Sequence, residues 1–120
     1  MKRQRDYTLY LRDMDAYAAK AQKFVNGIRY EEFTEYEEKI FAVIYALEII
    51  GEAANHLPKS ITNRYPEVPW VDIIGLRNFV IHGYDLVDLG VVWRTVQDDL
   101  PPLRQQIARI LSDLEQDTKH

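Results

Sequence analysis

The chain has 120 residues, of which 47% are hydrophobic and 28% are charged, and it contains no cysteine. This length predicts a single domain over residues 1–120 with a buried core, and the missing thiols exclude a disulfide framework and a thiolate zinc site. The net charge of −4 argues against a protein that binds nucleic acid nonspecifically, since such proteins are usually basic, but it allows a small cationic site, including one assembled from two chains.

The N-terminal segment MKRQRDY is basic but has no apolar run behind it, so it does not predict a secretory signal. No window of the sequence approaches the roughly 18 continuous apolar residues of a membrane span. Together with the absence of cysteine, this leads us to expect a cytoplasmic protein that does not bind membranes.

The first predicted helix runs from Asp6 to Ile28, because apolar residues recur every three or four positions along one face. Asp6 is its expected N-cap, and Gly27 lies near its end.

A second helix is expected to begin near Thr34, because Thr34-Glu35-Tyr36-Glu37 has the form of a capping box, and to end before Pro58. The helix is apolar around most of its circumference between Phe41 and Ile50, which predicts a central position in a helical bundle. Gly51, with the alanines that follow it, would let a neighbouring helix approach closely.

Residues 58–69 contain three prolines and predict a connector with one short helical turn near residues 60–64. Pro69 is suited to open a third helix that ends near Gly83 or Tyr84. Asp88 can cap a fourth helix, and Pro101-Pro102 should kink or restart it before the apolar stripe continues. No segment shows the alternation of a strand, so the sequence predicts an all-α bundle of about four or five helices.

The segment RNFVIHGY, residues 77–84, combines apolar residues with Arg77, Asn78, His82 and Tyr84. In an ideal helix, Arg77 and His82 point about 140° apart, but Gly83 can end the helix and let these side chains line one pocket. Histidine transfers protons near neutral pH, and arginine binds phosphate through paired hydrogen bonds. This set suits metal-independent cleavage of an RNA phosphodiester.

The spacing alone leaves a structural interpretation open. Arg77 could pair with a carboxylate, His82 could cap a helix, and Tyr84 could pack its ring. Glu52 could either reach Arg77 as a partner or remain a solvated carboxylate. His56 is expected to cap a helix C-terminus, and no histidine has another four positions away, so no metal site is predicted.

The second half of the chain resembles the HepT-like toxins of the HEPN superfamily, whose motif is R-x4-H-x-Y. Residues 77–84 match this motif throughout, and the phrases LEIIGEAANHLP, YPEVPWVDIIGLRNFVIHGY and VDLGVVWRTVQDDLPPLRQQI also look like that family. The resemblance covers roughly residues 5–112. Gly83 departs from the bulkier residue that relatives often carry, while the motif positions are intact.

The resemblance implies a HEPN-type bundle that forms a homodimer, with two copies of the motif in one cleft. It implies a metal-independent endoribonuclease that acts on RNA, not DNA, and needs no cofactor. Arg77 would hold the scissile phosphate, His82 would transfer protons, and Asn78 would orient one of them. Two Arg77 side chains would give an acidic protein a local cationic groove.

The resemblance also implies a type VII-like toxin–antitoxin pair in which the partner is an MNT-type nucleotidyltransferase. That antitoxin would transfer AMP to Tyr84, which places negative charge where an RNA phosphate must bind. The alternative is a noncatalytic HEPN module that binds a nucleotidyltransferase or a nucleotide.

Overall fold

The computed structural model describes residues 4–81 and 87–118, and no strand occurs among them. Two short segments of other helical geometry join the α-helices: a 3₁₀ turn, Gly75–Arg77, and a π-helical turn, Thr95–Asp99. The α-helices in chain order are α1 (Gln4–Val25), α2 (Tyr30–Glu35), α3 (Glu37–Asn55), α4 (Lys59–Thr62), α5 (Trp70–Ile74), α6 (Asn78–Ile81), α7 (Leu89–Arg94) and α8 (Leu100–Thr118).

The prediction of an all-α bundle is confirmed. Helix α5, the 3₁₀ turn and α6 follow one another without a break, and so do α7, the π-helical turn and α8. The chain is therefore built from a few long helical runs and the short α4, as the sequence predicts. None of the described helices is long and apolar enough to cross a membrane.

Helix α3 lies at the centre of the fold, as its apolar circumference predicts. It packs antiparallel to α1, since Tyr10 stacks on His56 and Tyr17 contacts Tyr45 edge-on. It also packs against α5, the 3₁₀ turn and α6, while α1 packs against α8. The largest side chains that are fully withdrawn from solvent include Leu11, Met14, Leu47, Ile50, Leu103 and Ile107.

Two predicted helix starts are wrong. Helix α1 is already helical at Gln4, so Asp6 lies within its first turn and is not its N-cap. Thr34 lies inside α2, where its hydroxyl donates to the carbonyl of Glu31 at 2.8 Å. A threonine hydroxyl can bond backward to a carbonyl as readily as it caps a helix, which explains why the capping-box pattern misplaced the start of α3.

The helix boundaries in the second half follow the prolines and Asp88. The short α4 occupies the predicted connector, and α5 begins directly after Pro69. Asp88 caps α7, with Oδ1 accepting from the backbone N–H groups of Gly90 at 2.9 Å and Val91 at 3.2 Å. The predicted end of the third helix, near Gly83 or Tyr84, lies outside the described residues.

The expected restart at Pro101-Pro102 is found one turn earlier. Both prolines lie in the first turn of α8, and the irregular segment is the π-helical turn before them, which ends with the N–H of Leu100 donating to the carbonyl of Thr95. Prolines at 101 and 102 have no N–H to offer the carbonyls four positions back. A π-helical turn widens the helix at the point where those bonds are missing.

Candidate functional site

Gly51 allows the 3₁₀ turn that carries Arg77 to lie directly against α3. A Cβ atom at Gly51 would be 2.8 Å from the backbone nitrogen of Arg77 and 2.9 Å from the carbonyl oxygen of Ile74. Both distances are shorter than a carbon side chain tolerates, and both involve backbone atoms that cannot rotate away. The predicted close approach at Gly51 is confirmed, and it fixes where the Arg77 side chain begins.

Arg77 and Glu52 form an ion pair between the 3₁₀ turn and α3. Nη1 of Arg77 donates to Oε1 of Glu52 at 2.7 Å, and the two side chains are 34% and 46% exposed. The contact joins residues 25 positions apart in the chain. The interpretation of Glu52 as a partner of Arg77 is therefore confirmed as a contact. An arginine with a purely structural role would form the same contact, so the ion pair alone does not show that Arg77 is catalytic.

In the part of the chain that the structure describes, the ion pair with Glu52 uses one N–H group of the Arg77 guanidinium. Arginine carries five N–H donors in a planar fork, and among the described residues Glu52 supplies the one carboxylate within ion-pairing distance of Arg77. Because the pair is partly exposed, its contribution to stability is modest, of order 0–1 kcal/mol. A partly exposed arginine that is paired through one N–H group can still bind a phosphate through its other donors.

Asn78 begins α6 and follows Arg77 directly. It is exposed, and its backbone N–H donates to the carbonyls of Gly75 and Leu76, which closes the 3₁₀ turn. The sequence did not predict this turn: it predicted one continuous helix. Gly75 was the available signal, because glycine weakens a helix by about 1 kcal/mol relative to alanine. His82 and Tyr84 lie outside the described residues.

His56 and Tyr10 extend the site along the seam between α1 and α3. Nδ1 of His56 lies 2.8 Å from the carbonyl oxygen of Glu52, and the imidazole stacks on Tyr10 with 5.0 Å between ring centroids. The prediction that His56 caps the C-terminus of α3 is confirmed. Glu52 is thus engaged twice, by Arg77 through its carboxylate and by His56 through its carbonyl. No pattern in the sequence signals the contact with Tyr10, because that contact depends on how α1 packs against α3.

Comparison with known proteins places the helical segments that carry Glu52, His56 and Arg77 inside a recognised family. The family model "Ribonuclease HepT-like" matches residues 14–110, a range that includes Glu52 and Arg77. A protein of Methanocaldococcus jannaschii, "Putative RNase MJ0125", is 36% identical over 93% of this chain and 97% of its own length. A protein of Thermococcus cleftensis, "Probable ribonuclease HepT", is 36% identical over 88% of this chain and 96% of its own.

A further relative, "Putative RNase TTE0752" of Caldanaerobacter subterraneus, is 38% identical over 72% of this chain and 78% of its own length. No solved structure matches the chain significantly. The match of the family model and the full-length relatives agree with the helical fold and with the resemblance in the sequence. The chain belongs to the HepT-like ribonuclease family of the HEPN superfamily.

Proposed function

We propose that this protein is a metal-independent endoribonuclease of the HepT-like type, with Arg77, Asn78 and His82 as its catalytic residues. The observation that carries the proposal is the position of Arg77. Its side chain is 34% exposed, donates through Nη1 to Glu52 at 2.7 Å, and is set on a turn that leads into the rest of the R-x4-H-x-Y motif. Family membership and the names of the relatives support RNA as the substrate.

The proposed reaction is an internal transfer of the phosphodiester. The ribose 2′-oxygen attacks the adjacent phosphorus and loses its proton to a base, while the bond from phosphorus to the 5′-oxygen breaks and that oxygen gains a proton. The products are a 2′,3′-cyclic phosphate and a 5′-hydroxyl, so no water is consumed. His82 moves protons in this scheme, Arg77 stabilises charge on the phosphoryl oxygens, and Asn78 orients the phosphate or the imidazole.

A homodimer is part of the proposal. A single Arg77 provides one cation on a protein with a net charge of −4, whereas two copies in one cleft would double the positive charge near the phosphate. Electrostatic attraction to a polyanion depends on such local concentration of charge. This supports an active site that two protomers share.

The proposed partner is an MNT-type nucleotidyltransferase that acts as an antitoxin by transferring AMP to Tyr84. A modified Tyr84 would carry a phosphate in the same motif as Arg77 and would repel the RNA phosphate. Mass spectrometry after co-expression with an MNT-type nucleotidyltransferase from the same genome should show AMP on Tyr84. AMP on another residue, or on none, would remove this role from Tyr84.

The alternative is a noncatalytic module that binds a nucleotidyltransferase or a nucleotide. The ion pair of Arg77 with Glu52 is compatible with it, because a structural arginine would look the same. The two functions differ in one respect that is easily measured: only the ribonuclease cleaves RNA in the absence of its partner.

Purified protein incubated with RNA in excess chelator tests the proposal. We expect fragments with 2′,3′-cyclic phosphate ends from the wild type and none from Arg77→Ala or His82→Ala. Arg64→Ala is a matched control, because Arg64 also forms a single 2.7 Å ion pair, with Asp117, at 43% exposure. Equal cleavage by a folded Arg77→Ala protein would contradict the assignment, and no cleavage by unmodified wild type would favour the binding module.

A further inference from the structure

A cavity of about 450 Å³ lies between the segment that carries the motif and the last helical run. Gly75, Leu76 and Phe79 line it on one side, and Val91 and Leu103 line it on the other. Arg77 and Glu52 are not among its lining residues. The cavity is thus separate from the ion pair of the candidate site, although it contacts the same 3₁₀ turn.

The floor of the cavity is apolar. Ile73, Leu76 and Leu103 are 3%, 8% and 1% exposed, and Phe79 and Val91 are partly buried beside them. Thr95 also lines the cavity, but its hydroxyl already donates to the carbonyl of Val91 at 2.9 Å. A concave apolar surface of this volume falls within the range of about 300–1,000 Å³ that is usual for sites that bind small molecules.

Two carboxylates, those of Asp72 and Asp99, belong to the lining, and no lysine, arginine or histidine joins them among the described residues. Neither carboxylate forms an ion pair with any cation in the described part of the chain. Partial desolvation of the carboxyl raises the pKa of Asp99, the negative charges of Asp98 and Asp72 raise it further, and Arg94 lowers it by a smaller amount. The cavity therefore has negative charge that no cation of the described residues neutralises through an ion pair.

An apolar floor next to unneutralised carboxylates defines the chemistry of a fitting ligand. An anion such as a nucleotide or an RNA phosphate would be repelled. A neutral apolar molecule would fill the floor but would gain nothing from the two carboxylates, which are exposed to water. A cation with an apolar body uses both features, because its charge can form charge-assisted hydrogen bonds with the carboxylates while its body covers Leu76 and Phe79.

We propose that this cavity is a binding site for an organic cation: an amidinium, guanidinium or ammonium group attached to an apolar body of small-molecule size. The carboxylates of Asp72 and Asp99 bind the charged group, and the apolar floor binds the rest. The site is independent of RNA cleavage, so it can be tested whether or not the proposed ribonuclease activity is found.

Benzamidine and benzamide form a suitable pair of probes, since they have nearly the same shape and only benzamidine is charged. Titration of each into ¹⁵N-labelled protein should shift the amide resonances of Gly75, Val91 and Leu103 with benzamidine and much less with benzamide. Asp99→Asn and Asp72→Asn should each weaken the binding of benzamidine roughly fivefold. Loss of either carboxylate should not unfold the protein, because both residues are exposed.

Asp98→Asn is the matched control. It removes the same charge one position away from Asp99, but Asp98 does not line the cavity and acts on Asp99 only through its charge, so the affinity for benzamidine should fall less than it does with Asp99→Asn. The proposal would be overturned by equal binding of benzamide, by equal weakening from Asp98→Asn, or by benzamidine shifts that fall outside the cavity.

The same chemistry could come from a free amine or from a side chain of a partner protein. N-acetyl-phenylalanyl-arginine amide distinguishes these sources, because it presents a guanidinium and an apolar ring on a peptide backbone. Tighter binding of this peptide than of benzamidine would assign the site to a basic segment of a partner. The opposite order would assign it to a free organic cation.

Discussion

Glu52 on α3 holds the guanidinium of Arg77 at 2.7 Å, across 25 positions of the chain. The next residue toward the N-terminus, Gly51, is where the backbone of Arg77 lies directly against α3. Two adjacent residues of one helix therefore set both ends of the arginine: one admits its backbone and the other binds its charged group. This arrangement gives separate ways to disturb the position of Arg77 without removing it.

Glu52→Gln should lower kcat for RNA cleavage about tenfold, with a smaller change in KM. The amide oxygen can still accept from Nη1 of Arg77, but without the carboxylate charge it holds the guanidinium less firmly. Stability should change by less than about 1 kcal/mol, because the pair is partly exposed. Kinetics on a fluorogenic RNA would measure the effect. Asp117→Asn is the control, because it weakens the equivalent ion pair at Arg64 and should leave cleavage unchanged. If Glu52→Gln cleaved RNA faster than the wild type, Glu52 would instead compete with the RNA phosphate for Arg77.

Gly51→Ala should destabilise the protein by roughly 1–3 kcal/mol, because the new methyl group would overlap the backbone of the 3₁₀ turn. The displaced turn should carry Arg77 with it, so cleavage should fall even at temperatures where the variant is fully folded. Urea unfolding and an activity assay on the same preparation would measure both effects.

Gly75→Ala is the matched control for Gly51→Ala. A Cβ atom at Gly75 meets nothing nearer than Nδ2 of Asn78, at 3.9 Å, which is an ordinary contact. Alanine should therefore be neutral or stabilise the protein by up to about 1 kcal/mol, by restricting the unfolded chain. Equal destabilisation by the two variants would contradict the account of Gly51.

Asp88→Ala should cost about 1 kcal/mol of stability, because Oδ1 of Asp88 satisfies the N–H groups of Gly90 and Val91 at the start of α7. Asp88→Asn keeps an acceptor oxygen and should lose much less. Thermal unfolding of the two variants and the wild type would compare them. If both substitutions were equally costly, the charge of Asp88 would matter more than its role as a cap.

Tyr65 should make the protein less stable at alkaline pH. Burial, together with the hydrogen bond that its hydroxyl donates to Asp113 at 2.7 Å, raises the pKa of Tyr65 from 10.0 to about 12. Between these values the unfolded chain releases the proton and the folded chain retains it, so the free energy of unfolding falls by up to about 1.4 kcal/mol per pH unit. The contribution is complete below pH 10 and declines as the pH rises toward 12.

Tyr65→Phe removes this titration. At pH 9 the variant should be less stable than the wild type, by roughly 1 kcal/mol, since it lacks the hydrogen bond. The difference should shrink as the pH rises from 10 to 11. Urea unfolding at several pH values would measure it, and parallel curves for the two proteins would show that Tyr65 does not have the raised pKa.

The sequence was sufficient to predict the long helical runs, and it offered the pairing of Glu52 with Arg77 as one of two alternatives, which the structure decides. Apolar spacing and the prolines mark the long helices, and both depend only on local geometry. The break at Tyr36 between α2 and α3 could not be predicted, because neither glycine nor proline marks it. The capping pattern at Thr34 misled for a related reason: whether a hydroxyl caps the next turn or bonds backward depends on tertiary packing.

Some parts of the candidate site could be predicted from the sequence and others could not. Arg77, Asn78 and Glu52 fall on described elements, and the contact of Arg77 with Glu52 is confirmed. The 3₁₀ geometry beneath Arg77 was missed, since a single glycine in an apolar helix is a weak signal of a change in helix type. The roles of His82 and Tyr84 stay predictions, as both residues lie outside the described range.

The π-helical turn Thr95–Asp99 has a consequence for the register of the last helix. The buried residues Val92, Val96 and Leu100 are spaced by four and four, and those from Leu100 to Leu114 alternate between three and four. Two successive four-residue steps would rotate an ideal α-helix by about 80° off the core. The π-helical turn holds more residues per turn than an α-helix, which cancels this rotation. The apolar residues before and after it therefore face the same core. Deleting Gln97 would leave Leu100 seven positions after Val92, only about 20° short of two full turns, so an ordinary α-helix could replace the π-helical turn with α8 still packed on α1.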